Sequence, residues 1–519
     1  MKKTIITNVK AIVAIALVSI FTVSCTDLEI EATDSIITDE DLGIFNGVES
    51  VEESLNNLYN DTYGQLGDQA NFFALNEVAT DETLVPTRGT DWGDNGIWRT
   101  LHAHTWSPTH QFILSTWNNL NQNVFRATQI IDDRSAPSAQ QKAEAQFLRA
   151  FSMFFVLDLY GVQPFRQPDE GADVNPSVMT AQEAYDFILA DLAAAIPNLP
   201  STGPSAETNR ASKASANFLM AKLRLNAGRY KGTGGFDNGD MQAVIDAVDA
   251  IAADGFALQA GYFDIFTEAV DNETIWYVNT SVGNRIWNGL HYNQNSPDNT
   301  GGGWNGFTTL AEFYDSFEGN PDRNELGDSP DERRGYVPNA SNAGPSNLGI
   351  GYGFLLGQQY DQDGAPLQTR GGQPLSFTKQ LPGLSGNTED TGIRIIKYHP
   401  VNGAFANHEI MFRYSDAHLM KAEAMMRMGG DVSAMVNELR TLRGASALGS
   451  VTEADVLAER GRELYIEFWR RNDLLRFGQF TKDWEFKNAD AVGNDTRNLY
   501  PIPVNALLSN PNLVQNPGY

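Results

Sequence analysis

Two segments of the sequence combine aromatic side chains with short polar ones among glycines. The first runs from Asn76 to Trp106 and the second from Trp287 to Tyr314. Asp, Asn and Gly are typical of exposed turns, so rings among them can face solvent. A flat ring beside amide, carboxylate or guanidinium groups can hold an uncharged, hydroxyl-rich ring such as a sugar. The candidate binding residues are Trp92, Trp304, Trp98, Trp287, Tyr292, Asp91, Asp94, Asn95, Arg88 and Asn288.

Each of these tryptophans has a second interpretation, because side chains of this size often pack beneath loops. Trp92 and Trp304 are the strongest candidates for exposed rings, since both are flanked by Gly and by Asp or Asn. Trp117, Trp469 and Trp484 lie in or beside helical segments, so we expect them in the core.

The sequence lacks the common signatures of catalysis. It contains no nucleophile elbow, phosphate loop, dinucleotide fingerprint or metalloprotease helix. His102, His104 and His110 are close in sequence, but their spacing does not aim them at one point, so we expect no metal and no cofactor. With 65 acidic residues a glycosidase-like carboxylate pair is an open alternative, because sequence does not give the separation of two carboxylates.

The first 24 residues have the layout of a bacterial secretory signal. Lysines precede an apolar stretch at 11–21, which is shorter than the roughly 20 residues that span a bilayer. Cys25 follows at the expected cleavage point and is the only cysteine. We expect residues 1–24 to be removed, Cys25 to carry lipid and residues 25–48 to form a tether. A buried or a reactive thiol is the alternative.

The charge of the chain argues against nucleic acid as a partner. Its 37 basic and 65 acidic side chains give a formal net charge of −28, which repels phosphate backbones. The same charge weakly disfavours anionic polysaccharides. A composition of 41% hydrophobic and 10% aromatic residues is that of a globular protein.

Apolar residues at three- and four-residue spacing predict helices at both ends of the chain. Several are paired through short turns and have alanine-rich faces, as in tetratricopeptide-like solenoids. The predicted helices are 51–63, 112–131, 139–160, 181–196, 211–225, 241–253, 411–428, 432–442 and 453–477.

The middle of the chain has a different character. Gly, Asn, Asp and Pro replace the helical pattern, and the strand candidates are short, for example 273–279 and 392–398. Long loops inside a folded chain are often functional. We therefore predict one domain over residues 49–519, with helical repeats in 49–255 and 401–519 and a loop-rich insertion in 256–400.

Four motifs are spread along the chain. They are QKAEAQFLRAFSMFFVLDLYGVQPF at 141–165, FRYSDAHLMKAEAMMRMGG at 412–430, LAERGRELYIEFWRRNDLLRFG at 457–478 and LYPIPVNALLSNPNLVQNPGY at 499–519. Together with Cys25 they resemble the SusD/RagB family of nutrient-binding outer-membrane lipoproteins. Ser415 departs from the family, in which alanine is more usual.

The resemblance implies a mostly α-helical, tetratricopeptide-like superhelix with a loop-rich variable region and a few short strands. It also implies a non-enzymatic protein, lipid-anchored in the outer membrane and facing the cell exterior, that captures glycan for a SusC-like TonB-dependent barrel. Members tend to bind glycan near both aromatic segments. We expect a neutral glycan, for example a β-glucan such as laminarin. A surface glycoside hydrolase, or a peptide- or protein-binding member of the same fold, is the alternative.

The charged residues of these motifs are predicted to be structural. Acids and bases at helical spacing form ion pairs between packed helices. The residues concerned are Glu144, Arg149, Arg413, Glu423, Glu459, Arg460, Glu463, Arg470, Asp473 and Arg476.

Overall fold

The computed structural model describes residues 45–171, 173–294 and 302–519. Cys25, the signal segment 1–24 and most of the predicted tether 25–48 lie outside these residues. Asn46–Tyr519 forms one compact unit. No helix within the described ranges is both long and apolar enough to cross a membrane.

Helices make up most of the regular structure in the described residues. Up to residue 255 they are α1 Val51–Gly67, α2 Asn71–Glu77, α3 Ile97–His102, α4 Gln111–Ile131, α5 Ala139–Tyr160, α6 Ala181–Ala195, α7 Lys213–Leu225, α8 Ala227–Tyr230 and α9 Asn238–Ala253. Beyond it they are α10 Gly283–Gly289, α11 Ala311–Asp315, α12 Ala404–Asn407, α13 Tyr414–Arg427, α14 Ser433–Leu442, α15 Glu453–Leu464, α16 Arg470–Arg476 and α17 Val504–Ser509. The fold is mostly α, as predicted.

Side-chain caps fix where two of the long helices begin. At the start of α5 the Ser138 hydroxyl accepts from the backbone N–H of Gln141, whose side chain accepts from the N–H of Ser138. Thr180 and Glu183 form the same capping box at the start of α6. Gly161 ends α5 with a φ of 75°, which glycine adopts without steric cost.

The helices stack in successive antiparallel neighbours. α4 packs against α5, α5 against α6, α7 against α9, and α9 against α13. Ala214, Ala216 and Ala221 on α7 are fully buried, so their small side chains allow the neighbouring backbone to approach closely. This succession of helix pairs is the predicted tetratricopeptide-like arrangement.

The strands are short and lie mainly in the insertion. They are β1 Gln163–Phe165, β2 Ser177–Met179, β3 Thr274–Val278, β4 Gly335–Tyr336, β5 Tyr352–Leu355, β6 Gly357–Gln358, β7 Ser376–Phe377, β8 Arg394–Ile396 and β9 Glu409–Arg413. The pairs β1–β2, β3–β9, β4–β5, β5–β8 and β6–β7 are all antiparallel. β3 and β8 confirm the strands predicted at 273–279 and 392–398.

Two predicted helices are wrong in part. The helix predicted at 411–428 starts only at Tyr414, because residues 409–413 form the fully buried strand β9 against β3. The helix predicted at 453–477 divides into α15 and α16. Ile466 and Phe468 between them have positive φ values of 52° and 72°. There Glu467 pairs with Arg413, and these tertiary contacts outweigh the helical periodicity.

The prediction that the charged motif residues form structural ion pairs is confirmed. All ten residues have an oppositely charged partner within 2.8 Å, and most of these pairs are almost fully buried, which ties the helices to one another. The pairs are Arg149–Asp191, Glu144–Arg210, Glu423–Arg476, Arg460–Asp473, Glu459–Arg333, Arg413–Glu463 and Arg470–Asp81.

Candidate ligand-binding site

The two aromatic segments lie side by side. The backbones of Leu84 and Thr308 exchange two hydrogen bonds of 2.9 and 3.0 Å. Beyond this bridge, the Trp92 indole N–H donates to the carbonyl oxygen of Trp304 at 2.7 Å. Two tryptophans that are 212 positions apart in sequence are therefore held together at one place on the molecule.

Trp304 offers the open aromatic surface of this pair. It is 38% exposed, whereas the other eight tryptophans are half-buried or buried. Trp92 is half-buried, and its ring packs against the backbone of Gly306 on one side and the edge of Trp98 on another. A Cβ atom at Gly306 would lie 2.6 Å from Cε2 of Trp92, so only glycine fits beneath the indole.

The backbone around Trp92 is strained. Trp92, Asp94 and Asn95 have positive φ values of 60°, 34° and 51°. Such conformations cost about 1–3 kcal/mol each and cluster at functional sites; Asn and Asp tolerate them better than a bulky residue does. Asp94 and Asn95 are exposed as a result, and Asp94 also accepts a 3.0 Å hydrogen bond from the Trp98 indole.

Tyr292 is the centre of a polar network. Its hydroxyl donates to Oδ2 of Asp91 at 2.6 Å. The guanidinium of Arg370 lies 3.8 Å from the centroid of the Tyr292 ring, so it covers one face of that ring. Arg370 donates from Nη2 to Oδ2 of Asp91 at 2.8 Å and from Nε to Oε1 of Glu389 at 2.5 Å.

The carboxylates of this network are held ionised. The hydrogen bond from Tyr292 and the contact with Arg370 lower the pKa of Asp91. Burial alone would raise the pKa of Glu389, but hydrogen bonds from Arg370 outweigh it and the pKa is lowered. Burial lowers the pKa of His291 to about 4. The ring beside Glu389 is therefore neutral at neutral pH, and its Nε2 lies 3.1 Å from Oε2 of Glu389.

A third loop, residues 368–391, completes the site and was missed by the sequence reasoning. The backbone N–H of Gly89 donates to Asn387, and the side chain of Asn293 donates to Gln368. The loop is thus bonded to both aromatic segments. It contains one aromatic residue, the buried Phe377, so a search for exposed rings does not find it. The only signal was a charged residue beside two glycines, Arg370-Gly371-Gly372, which is weak.

A cavity of about 540 Å³ opens between the first and third loops. Arg88, Asp91, Arg370, Gln373, Asn387 and Glu389 are among its lining residues. This volume lies within the range of small-molecule sites. Asp91 lines this cavity and immediately precedes Trp92 in sequence. The cavity and the indoles are therefore neighbours.

A second cavity lies elsewhere and contains none of the predicted site residues. Its volume is about 610 Å³, and it is lined by residues of α4, of the β1–β2 hairpin and of α17. Trp117 in its wall is only 5% exposed, in agreement with the prediction that this indole belongs to the core. No carboxylate is among its described lining residues. The loop site combines an exposed indole with paired charges, so we regard it as the candidate.

The sequence matches two family models that together cover most of the chain. Residues 272–519 match the model described as "SusD family", and residues 36–225 match the model described as "Starch-binding associating with outer membrane". The chain belongs to the SusD/RagB family.

Relatives of this SusD/RagB protein align over nearly its whole length. It is 27% identical to the starch-binding protein SusD of Bacteroides thetaiotaomicron over 495 residues, 88% of this chain and 86% of the relative. A SusD-like protein of Bacteroides fragilis has a TM-score of 0.68 at 19% identity, covering 92% of this chain and 98% of that one. Surface glycan-binding protein A of B. thetaiotaomicron, solved with laminarihexaose, has a TM-score of 0.63 at 17% identity, covering 90% and 98%. The two structures show a shared fold.

Four predicted site residues of this SusD/RagB chain are buried. Trp98 is 4% exposed, Arg88 2%, Asn288 0% and Trp287 9%. These side chains leave little surface for a ligand, although Arg88 lines part of the cavity of about 540 Å³, and their contact with a ligand stays a prediction. Trp98 packs edge-on against Phe112 and Phe307 beneath Trp92.

Arg88 is buried because it joins the first loop to the third. Its Nη1 donates to the Thr388 carbonyl at 3.1 Å and to the Thr391 hydroxyl at 2.9 Å. Burial lowers its pKa to about 9, so the guanidinium is still charged at neutral pH.

The three histidines that are close in sequence contact different backbone carbonyls. The rings of His102, His104 and His110 each place Nε2 within 3.0 Å of one carbonyl oxygen, those of Glu485, Ala79 and Ile97 respectively. No group of three or more metal-ligating side chains occurs in the part of the chain that the structure describes.

Proposed function

We propose that this SusD/RagB protein binds neutral glycan at the cell surface and hands it to a SusC-like TonB-dependent barrel in the outer membrane. The observation that carries the proposal is the exposed indole of Trp304. Its residue is held beside Trp92, because the Trp92 indole N–H donates to the backbone carbonyl of Trp304. A sugar ring can stack its C–H face on such an indole. The exposed side chains of Asp94 and Asn95 provide polar groups at its edge.

A neutral glucan fits the site better than a charged polymer. Arg370 is balanced by Asp91 and Glu389, and the chain as a whole carries a charge of −28. An acidic or sulfated glycan would therefore meet repulsion. The names of two relatives support the same ligand class, because starch and laminarihexaose are both neutral glucans. Laminarin-type β-glucan is the expected ligand class.

Binding without cleavage is supported by the state of the carboxylates. A glycosidase needs a protonated carboxylic acid whose pKa is raised. Asp91 and Glu389 have lowered pKa values, and the guanidinium of Arg370 forms an ion pair with each of these carboxylates. They are therefore poor general acids. We assign the protein a binding role, with a surface glycoside hydrolase and a peptide receptor as the competing functions.

The proposed location in the outer membrane is inferred from the amino-terminal segment of the sequence. Cys25 at the end of a secretory signal is the expected lipid attachment point, and the match to the model named for outer-membrane association agrees with it. A lipid anchor with the fold on the outside would place the glycan site where polysaccharide is met.

Calorimetric titration against neutral glucans, acidic glycans and peptides tests the proposed function, together with product analysis of the same mixtures. We expect saturable binding of neutral oligosaccharide and no release of reducing ends. Reducing ends whose release is lost in Asp91→Asn or Glu389→Gln would establish the hydrolase instead. Selective binding of peptides would establish the receptor.

A further inference from the structure

Arg370 is held more rigidly than its position on a surface loop requires. Its guanidinium is fixed on two edges, by Asp91 and by Glu389, and one of its faces lies on the Tyr292 ring. Its backbone N–H also donates to Oε2 of Glu389 at 2.9 Å. A long side chain with three such contacts, on a backbone that is itself hydrogen-bonded, has lost most of its rotamer freedom before any ligand arrives.

Two polar atoms of this network remain open. Nη1 of Arg370 and Oδ1 of Asp91 have no hydrogen-bonding partner among the described residues, although their side chains are 51% and 33% exposed. One is a charged donor and the other a charged acceptor. A sugar hydroxyl both donates and accepts, so neighbouring hydroxyls can satisfy the two atoms at once.

The cavity of about 540 Å³ provides the space for such a ligand beside these atoms. Gln373, Thr90 and Thr369 line it together with Arg370. The side-chain amide of Gln373 makes no hydrogen bond to the described residues and is exposed. The wall thus offers polar groups that the fold itself does not use.

We propose that this cavity is a hydrogen-bonding subsite for the sugar units that extend beyond the indoles, and that Arg370 selects uncharged, hydroxyl-rich units there. The proposal rests on the proposed glycan-binding function. Three carboxylates, those of Asp91, Glu389 and Asp390, line the cavity against two arginines, Arg88 and Arg370, so an anionic unit would meet a net negative charge there. The third loop therefore determines the length of the glycan that is bound, and it excludes charged glycans.

The test is the dependence of affinity on chain length. Oligosaccharides of the β-glucan that the wild type binds, from two to six units, are titrated into wild type, Arg370→Ala and Gln373→Ala. The loss of a charge-assisted hydrogen bond should weaken the longer oligosaccharides about tenfold in Arg370→Ala. The shortest oligosaccharide that binds should change less than about twofold, because it occupies the indoles alone. Gln373→Ala should show the same length dependence, with a smaller loss of about threefold.

Arg323→Ala is the matched control. Arg323 is also an exposed arginine paired with one carboxylate, that of Asp328, but it lines no part of this cavity. Its titrations should match those of the wild type at every length.

Three results would overturn the proposal. If Arg370→Ala changes the affinity by the same factor at every oligosaccharide length, Arg370 only holds Tyr292 and Asp91 in place. If Gln373→Ala binds every length as the wild type does, no ligand enters the cavity. If the wild type binds no glycan, the proposed function fails and the subsite with it, whereas the first two results leave the proposed function intact.

Discussion

At the scale of single residues, the site separates into exposed and supporting aromatic side chains. Trp304 presents its ring to solvent, Trp92 is half-buried, and Trp98 packs against Trp92 with 4% exposure. The flanking residues favoured Trp92 and Trp304 as exposed rings, but they did not show that Trp98 is buried. The difference arises from packing against Phe112 and Phe307, and one of these lies in the other aromatic segment.

Replacing Trp304 with alanine should weaken glycan binding. The loss of one stacking contact costs on the order of 1 kcal/mol, so the dissociation constant should rise about fivefold. Isothermal titration measures it. Phe236→Ala is the control, because this ring has a similar exposure of 41% but lies in another part of the molecule. Equal affinities for wild type, Trp304→Ala and Trp92→Ala would contradict the placement of the site.

At the scale of elements, the helices of the first half could be predicted and the loops could not. The helices α4, α5 and α6 lie within one residue of their predicted bounds, because periodicity and caps act locally. The strand β9 and the break at Ile466 depend on partners far away in sequence. The same is true of the third loop, since Arg370 gains its role only through Asp91 and Tyr292.

The contact between the aromatic segments can be tested at Gly306. A methyl group there would meet the Trp92 ring at 2.6 Å, so Gly306→Ala should displace the indole and weaken glycan binding by about fivefold or more. Gly64→Ala is the control, because a Cβ at that position in α1 meets nothing within 4 Å. Its affinity should equal that of the wild type. Unchanged affinity in Gly306→Ala would show that the position of Trp92 is irrelevant to binding.

The buried charges between α14, α15 and the insertion should make the free energy of unfolding depend on pH in the acidic range. Burial alone would raise the pKa of Glu459, but Arg333, Arg462 and Arg440 outweigh it and lower the pKa to about 2. The stabilisation is therefore fully present above the ordinary pKa of 4.5 and is lost as the pH falls towards 2. Glu459→Gln should lower the free energy of unfolding by about 3–5 kcal/mol at pH 7, because Arg333, Arg440 and Arg462 each lose one carboxylate partner.

Urea unfolding as a function of pH measures this effect. The difference between wild type and Glu459→Gln should shrink as the pH falls below the ordinary pKa of the glutamate. Glu453→Gln, at a mostly exposed partner of Arg427, should change the stability by less than about 1 kcal/mol. A pH-independent difference for Glu459→Gln would show that the pKa of Glu459 is the same in the native and the unfolded protein.

At the scale of the whole molecule, a stack of helix pairs carries the loops within one compact unit, and Cys25, the proposed lipid attachment point, precedes this unit in sequence. The arginine and carboxylate pairs lock the helices, so the three loops keep their relative positions without a ligand. Most family motifs fall in this scaffold. The candidate site lies in loops outside the four motifs, which is why family membership could be recognised from sequence while the ligand contacts could not.

Lipid attachment is tested by Cys25→Ala. The wild type should incorporate labelled palmitate and sediment with outer membranes, because two or more acyl chains give stable anchoring. The variant should lose both label and sedimentation. Purified variant should bind glycan like the wild type, because residue 25 precedes the compact unit. Membrane retention of unlabelled Cys25→Ala would refute the proposed anchor.

A crystal structure with a bound neutral β-glucan hexasaccharide tests the central claim most directly. We expect a sugar ring to stack on the Trp304 indole, with the chain continuing past Tyr292 towards Arg370. Oligosaccharide bound instead in the cavity beside Trp117, with the Trp304 ring bare, would contradict the account.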